Sequence, residues 1–293
     1  MLEEIIRGLS VDHVRFAYRL LRHSAPVTEP VIVIGGGLQG MLGWPSMDDQ
    51  IAPVTSLITA DLPGMGDADP LPAELGTELL CAALDRILDD LGEPQVNLFG
   101  FSYGAELVFR CAQRRPQLVA RLALGGAVPH TTAAQRDQVR RAADHLAAGR
   151  VAEFATAAAE AQLCLDEDHY IPRRDLVYRY VRRSMLHAAT TTPNLLDYLQ
   201  RALLGGQSFS GGLSGVPTLV FTGEHDTISS PARQRAFAAT VPGSRFRTIK
   251  DADHWVVLER AGDVADLALR FFTDRPLDTA TYLTGHVTTS PGV

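Results

Sequence analysis

The sequence predicts an α/β protein, a mostly parallel sheet flanked by helices with a helical insertion in its second half. Three observations carry this. Short β-branched or Leu-rich runs end abruptly at Gly, Asp or Pro, as strands buried on both faces of a parallel sheet do. Amphipathic helical patterns lie between those runs. The alternation then stops between about 128 and 214, where the chain is rich in Ala, Arg and Leu and offers no strand pattern.

Taken in order, "VDHVRFAYRLLRH" (11–23) alternates Val14, Phe16, Tyr18 and Leu20 with polar residues. That is the period of a half-exposed antiparallel strand, expected to pair with residues 3–9 as a hairpin. The buried strands are expected within 31–37, 56–66, 96–104, 121–127 and 217–226, with a last one at 244–250. Over 72–92, Leu75, Leu79, Leu80, Ala83, Leu84, Ile87, Leu88 and Leu91 recur at helical steps, and Gly92 and Pro94 end the helix. Residues 1–127 and 215–275 form the expected core, 128–214 a helical insertion, and 276–293 a loose tail without periodicity.

With 293 residues, 46% hydrophobic against 21% charged, the chain can bury one large core. Its formal charge of −7 and the lack of any Lys/Arg-rich block exclude the electrostatic footprint of a nucleic-acid binder. No run approaches the roughly 18 apolar residues of a membrane span. The acidic start "MLEEIIRGLS" does not resemble a signal peptide, and Cys81, Cys111 and Cys164 are scattered and odd in number. A reduced, cytoplasmic setting with three structural cysteines is the expectation.

Chemistry concentrates at "NLFGFSYGAEL" (97–107), where Ser102 stands between Gly100 and Gly104. A strand ending at Gly100 and a helix over 104–114 place the serine on a tight corner. Small neighbours let the backbone pack closely, and the helix N-terminus favours developing negative charge. A serine nucleophile needs a base and an orienting acid. Of nine histidines, His254 in "DADH" follows the last strand, and Asp226 in "GEHD" follows the strand before it. All three lie past carboxyl ends of strands, where open α/β sheets bind ligands. Asp251 and Asp253 are rivals for the acid role, and Glu106 faces either pocket or solvent.

The chain resembles the α/β-hydrolase fold from about residue 3 to 273, on "GGGLQG", "DLPGMG", "GFSYG", "GEHD" and "DADH" in that order, with 128–214 as a cap. The resemblance implies a Ser102–His254–Asp226 triad and an oxyanion hole from the amides of Tyr103 and Gly37, with Leu38 the alternative to Gly37. Where relatives carry His-Gly, this chain has Gly35-Gly36, so a side chain that braces the loop is missing.

Other readings of these motifs are structural. The triple glycine lacks the G-x-G-x-x-G pattern of dinucleotide binding, and Asp61 in "DLPGMG" holds a turn. Glu224 and His225 point apart if the segment is extended, so no metal or organic cofactor is expected and His225 is assigned a structural role. The implied activity is hydrolysis of a small-molecule ester or thioester, free or carrier-bound. An acyltransferase is the second reading, on a weaker similarity to the 3-hydroxyacyl acyltransferases of rhamnolipid precursor synthesis. A non-catalytic binding protein is the third. Ser102 excludes a dehalogenase with an Asp nucleophile; C–C hydrolysis stays open, as does oligomeric state.

Overall fold

The first two strands, β1 (Leu2–Val11) and β2 (Val14–His23), form an antiparallel hairpin in register from Leu2↔His23 to Val11↔Val14. Its two-residue turn has φ of 46° at Asp12 and 67° at His13, the positive-φ pair whose twist suits adjoining strands. Val14, Phe16, Tyr18 and Leu20 are buried, as their alternation predicts, whereas β1 stays largely exposed and carries Glu3, Glu4 and Arg7 along the sheet edge.

The remaining strands are β3 (Val31–Ile34), β4 (Leu57–Asp61), β5 (Val96–Phe101), β6 (Val119–Gly125), β7 (Thr218–Gly223) and β8 (Arg245–Ile249). They pair in parallel, and one eight-stranded sheet runs β1-β2-β4-β3-β5-β6-β7-β8. Every residue of β3, β4, β5 and β7 is buried, which is why these strands read as mainly apolar runs. The computed structural model describes residues 2–37, 39–71, 75–192, 195–199 and 209–284. Chain order reverses between β3 and β5, so their carboxyl ends diverge and open a crevice there.

Helices α1 (Pro45–Gln50), α2 (Thr77–Leu91) and α3 (Tyr103–Arg114) follow β3, β4 and β5. The expected helix over 72–92 thus starts at Thr77; residues 72–74 fall outside the described chain. Between β6 and β7 lie α4 (Ala133–Ala147), α5 (Val151–Glu160), α6 (Arg174–Thr191) and α7 (Leu195–Leu199), with no strand among the described residues of 128–214. Thr132 and Gln135 cap α4 reciprocally, side chain to backbone in both directions. In α6, Val177, Val181, Met185 and Ala188 make the single buried stripe. Helices α8 (Pro231–Ala238), α9 (Val256–Glu259) and α10 (Ala261–Phe272) complete the fold. No helix among the described residues is long and apolar enough to cross a membrane.

The segment after residue 276 departs from the expected loose tail. Leu277, Ala280 and Leu283 are buried, Leu283 bridges Ile249, and the Thr284 amide donates to Thr248 O at 2.9 Å. Apolar residues at three-residue steps dock this stretch against the β8 edge. Residues 285–293 lie outside the described chain.

Candidate active site

Ser102 sits between the last residue of β5 and the first of α3, with φ 51° and ψ −114°. That is a strained conformation for a residue with a Cβ, of the kind held only where the surroundings over-determine it. The surroundings are visible. A Cβ on Gly100 would come within 2.7 Å of Gly104 O and 2.8 Å of Ala105 Cα, and one on Gly104 would collide with the carbonyls of Ile34 and Gly35. The strand, the turn and the helix touch backbone to backbone, so the glycines answer for the corner. Gly104→Val is expected to cost about 3 kcal/mol or more, read as a drop of roughly 10 °C in melting temperature; an unchanged melting temperature would refute the packing argument.

The structure brings the three sequence-selected side chains together. Ser102 Oγ lies 3.0 Å from His254 Nε2, and His254 Nδ1 lies 3.0 Å from Asp226 Oδ2. Asp226 and His254 are both buried. Asp226 is held on all sides: Oδ1 accepts the amides of Ile228 (2.8 Å) and Ser229 (2.6 Å), while Oδ2 also accepts the hydroxyls of Thr222 and Ser229, both at 2.6 Å. Burial alone would raise its pKa, but His254 and these donors outweigh that and bring it down to about 2. Burial likewise opposes charge on His254, and Asp226 more than compensates, so the imidazole pKa is raised. The arrangement can take a proton from Ser102 Oγ and hold the resulting imidazolium against a fixed anion.

Gly37 and Tyr103 both line the pocket above Ser102. Tyr103 heads α3, where first-turn amides point out of the helix. Leu38, the alternative donor, lies outside the described residues. The missing loop brace has a replacement that the sequence reading did not select: buried Gln39 folds back so that its Oε1 accepts the Gly36 amide at 2.8 Å. A second residue of this kind is Gln135, whose Nε2 donates to Thr227 O and Ile228 O, both at 3.0 Å, tying α4 to the loop beyond Asp226.

The rivals have other partners. Asp253 is fully buried, but accepts the amides of Cys164 and Trp255, both at 2.8 Å. Asp251 lies 4.0 Å from Arg260. Glu106 faces neither pocket nor solvent; it is buried 3.8 Å from Arg110, one turn along α3. Asp61 accepts the amides of Met41 (2.6 Å) and Asp67 (3.1 Å), stapling two loops as a structural residue does. The three cysteines are buried and unbridged.

Above Ser102 the pocket wall is mainly apolar, with Val139, Ala142, Phe154, Ala158, Met185 and Leu199 supplied by the inserted helices. Elsewhere in the insertion, Met185 reaches the pocket, Tyr178 packs against the core, and Tyr170 and Leu186 are exposed.

Residues 29–261 match the family model described as the alpha/beta hydrolase fold. The chain belongs to the α/β-hydrolase family. This hydrolase-family chain is 20% identical over 240 residues to a protein of Pseudomonas aeruginosa named (R)-3-hydroxydecanoyl-ACP:CoA transacylase, covering 79% of this chain and 76% of that one. It is 26% identical to the dihydrolipoyllysine-residue acetyltransferase component of an acetoin cleaving system from Cupriavidus necator, covering 86% of this chain and spanning 65% of that protein's length. Among solved structures it is similar to a thermophilic esterase from Thermogutta terrifontis, with TM-score 0.71, 22% identity, and 92% and 97% of the two chains covered.

Proposed function

We propose that this chain is a serine-dependent acyl-transfer enzyme that hydrolyses a carboxylic ester or thioester through an acyl-enzyme. The observation that carries the reading is the unbroken path Ser102 Oγ–His254–Asp226, with both links at 3.0 Å, starting from a serine on a strained corner. Ser102 Oγ attacks the acyl carbon while its proton passes to His254 Nε2, and Asp226 stabilises the imidazolium. The tetrahedral oxyanion faces the Gly37 and Tyr103 amides, with the positive end of α3 behind them. His254 returns the proton to the departing alcohol or thiol. Water then enters and attacks the acyl carbon while giving a proton to His254, which passes it to Ser102 Oγ as that bond breaks and the acid leaves.

The inserted helices act as a cap whose apolar wall suits the acyl group of a small molecule, free or carried as a thioester. A cytoplasmic setting agrees with three buried, unbridged cysteines. A second reading is transfer of a (3-hydroxy)acyl group to a hydroxyl acceptor instead of water; the names of the Pseudomonas and Cupriavidus relatives favour acyl transfer, without naming a hydroxyl acceptor.

Intact mass after mixing with a fluorophosphonate, then with short and medium acyl thioesters, tests the proposal. One adduct per chain on Ser102 is the expected result. An acyl-enzyme that decays in water supports hydrolysis, and one that persists until a hydroxyacyl acceptor is added supports transfer. No adduct with any reagent removes both readings in favour of a binding protein.

A further inference from the structure

The loops that carry Asp226 and His254 also bring together a second group of polar side chains that the reaction does not use. β7 ends at Gly223, so Glu224 and His225 lie in a turn and not, as the sequence reading assumed, on an extended segment. They converge with Asp251, the turn residue after β8, and one ligand-type atom from each falls within 4.8 Å of the others. None of the three lines the pocket above Ser102.

We propose that Glu224, His225 and Asp251 form a binding site for one divalent transition-metal ion of the Zn²⁺ or Ni²⁺ kind. Tetrahedral ligands about 2.1 Å from a common ion lie about 3.4 Å apart. Closing the group from its present spread of up to 4.8 Å therefore takes at most about 1.4 Å of movement, and the Glu224 side chain is exposed, with room to move. The frame is already set: the Glu224 amide donates to Ile249 O and the His225 amide to Ala252 O, both at 2.8 Å, and the Asp251 amide donates to Glu224 Oε2 at 3.2 Å. His225 Nε2 already lies 3.9 Å from Glu224 Oε2. His169, from the inserted segment, lies against His225 with ring centroids 4.3 Å apart and planes tilted by 34°, and its Nδ1 is 3.3 Å from Asp166. The cation nearest Asp251, Arg260 at 4.0 Å, is committed to Asp263 at 2.6 Å. One imidazole and two carboxylates match borderline metals; Ca²⁺ and Mg²⁺ favour all-oxygen sites. An ion here ties the end of β7 to the turn after β8, clamping the two loops that hold Asp226 and His254.

The test uses the full chain without an affinity tag, stripped with chelator and titrated with ZnCl₂ by calorimetry, with Co²⁺ absorption as a spectroscopic check. The expected result is one ion per chain, and a melting temperature raised by Zn²⁺. Glu224→Gln keeps the acceptor for the Asp251 amide, and Asp251→Asn suits the φ of 51° there, so both preserve the turn. Each should weaken Zn²⁺ binding at least tenfold. Absence of a stoichiometric site in the wild type overturns the proposal, as does wild-type affinity in both variants or Ca²⁺ binding as tight as Zn²⁺. Circular dichroism of each variant separates ligand loss from misfolding, and His225→Gln supplies a third ligand change. Binding is read without turnover, so the outcome is independent of the acyl-transfer reading.

Discussion

Ser102→Ala is expected to lower turnover by about a million-fold and to leave the fold unchanged. The side-chain hydroxyl has one described partner, His254 Nε2 at 3.0 Å, so its removal costs at most about 1 kcal/mol of stability. Alanine keeps the Cβ, and with it the strain of φ 51° at the corner. Glycine does not. Ser102→Gly should therefore be equally inactive yet more stable than Ser102→Ala, by about 1 kcal/mol once its greater unfolded-state freedom is deducted. Rates with a chromogenic ester and thermal melts of both variants decide this. Retained activity in either variant would remove Ser102 from the chemistry. An equal loss of melting temperature in both would mean that the hydroxyl is structural.

The parts of the molecule that were readable in the sequence share a physical cause. β3, β5 and β7 are buried at every residue, so their composition is mostly apolar, apart from Asn97, Thr218 and Thr222, and each run announces a central parallel strand. Ser102 was readable because Gly100 and Gly104 are forced by backbone contact, and forced residues leave a pattern. Gln39 and Gln135 leave none. Each acts through one amide side chain folded onto a backbone group that only the tertiary structure brings near. The same limit explains Glu224 and His225, whose convergence depends on where β7 stops and on Asp251 from another loop. The 276–284 stretch failed differently: its three apolar residues are too few to register as periodic, yet an exposed β8 edge was available to receive them.

Asp226→Asn is expected to lower kcat by about 10⁴-fold, and the hydrogen bonds around the carboxylate say how. Oδ1 accepts two backbone amides, from Ile228 and Ser229, which cannot become acceptors, so the Asn oxygen must take that position. The NH₂ group then occupies the Oδ2 position. The Ser229 hydroxyl can rotate to accept one of its two hydrogens while Thr222 donates to Ser229 O, and His254 Nδ1 must accept the other. The imidazole is forced into its Nε2–H form, which faces Ser102 Oγ with a donor and cannot take its proton. The pH dependence moves with it. In the wild type the raised His254 pKa sets the acid limb of kcat/KM above the ordinary value of about 6.5; without the Asp226 charge, burial dominates and the limb shifts to lower pH. Stability follows the opposite window for the acid: with a folded pKa of about 2, Asp226 stabilises above the unfolded value near 3.9, and that contribution is lost as pH falls through the folded value. The variant loses this acid sensitivity. His254, raised on folding, stabilises below its unfolded pKa, and its contribution fades as pH rises through the folded one. A ¹⁵N spectrum of the His254 ring reads the tautomer directly. Asp253→Asn tests the alternative, because its carboxylate bonds the Cys164 and Trp255 amides and the Glu259 carboxyl and reaches the ring through its charge, without a hydrogen bond to it. If that variant flips the tautomer and Asp226→Asn does not, the orienting acid is Asp253.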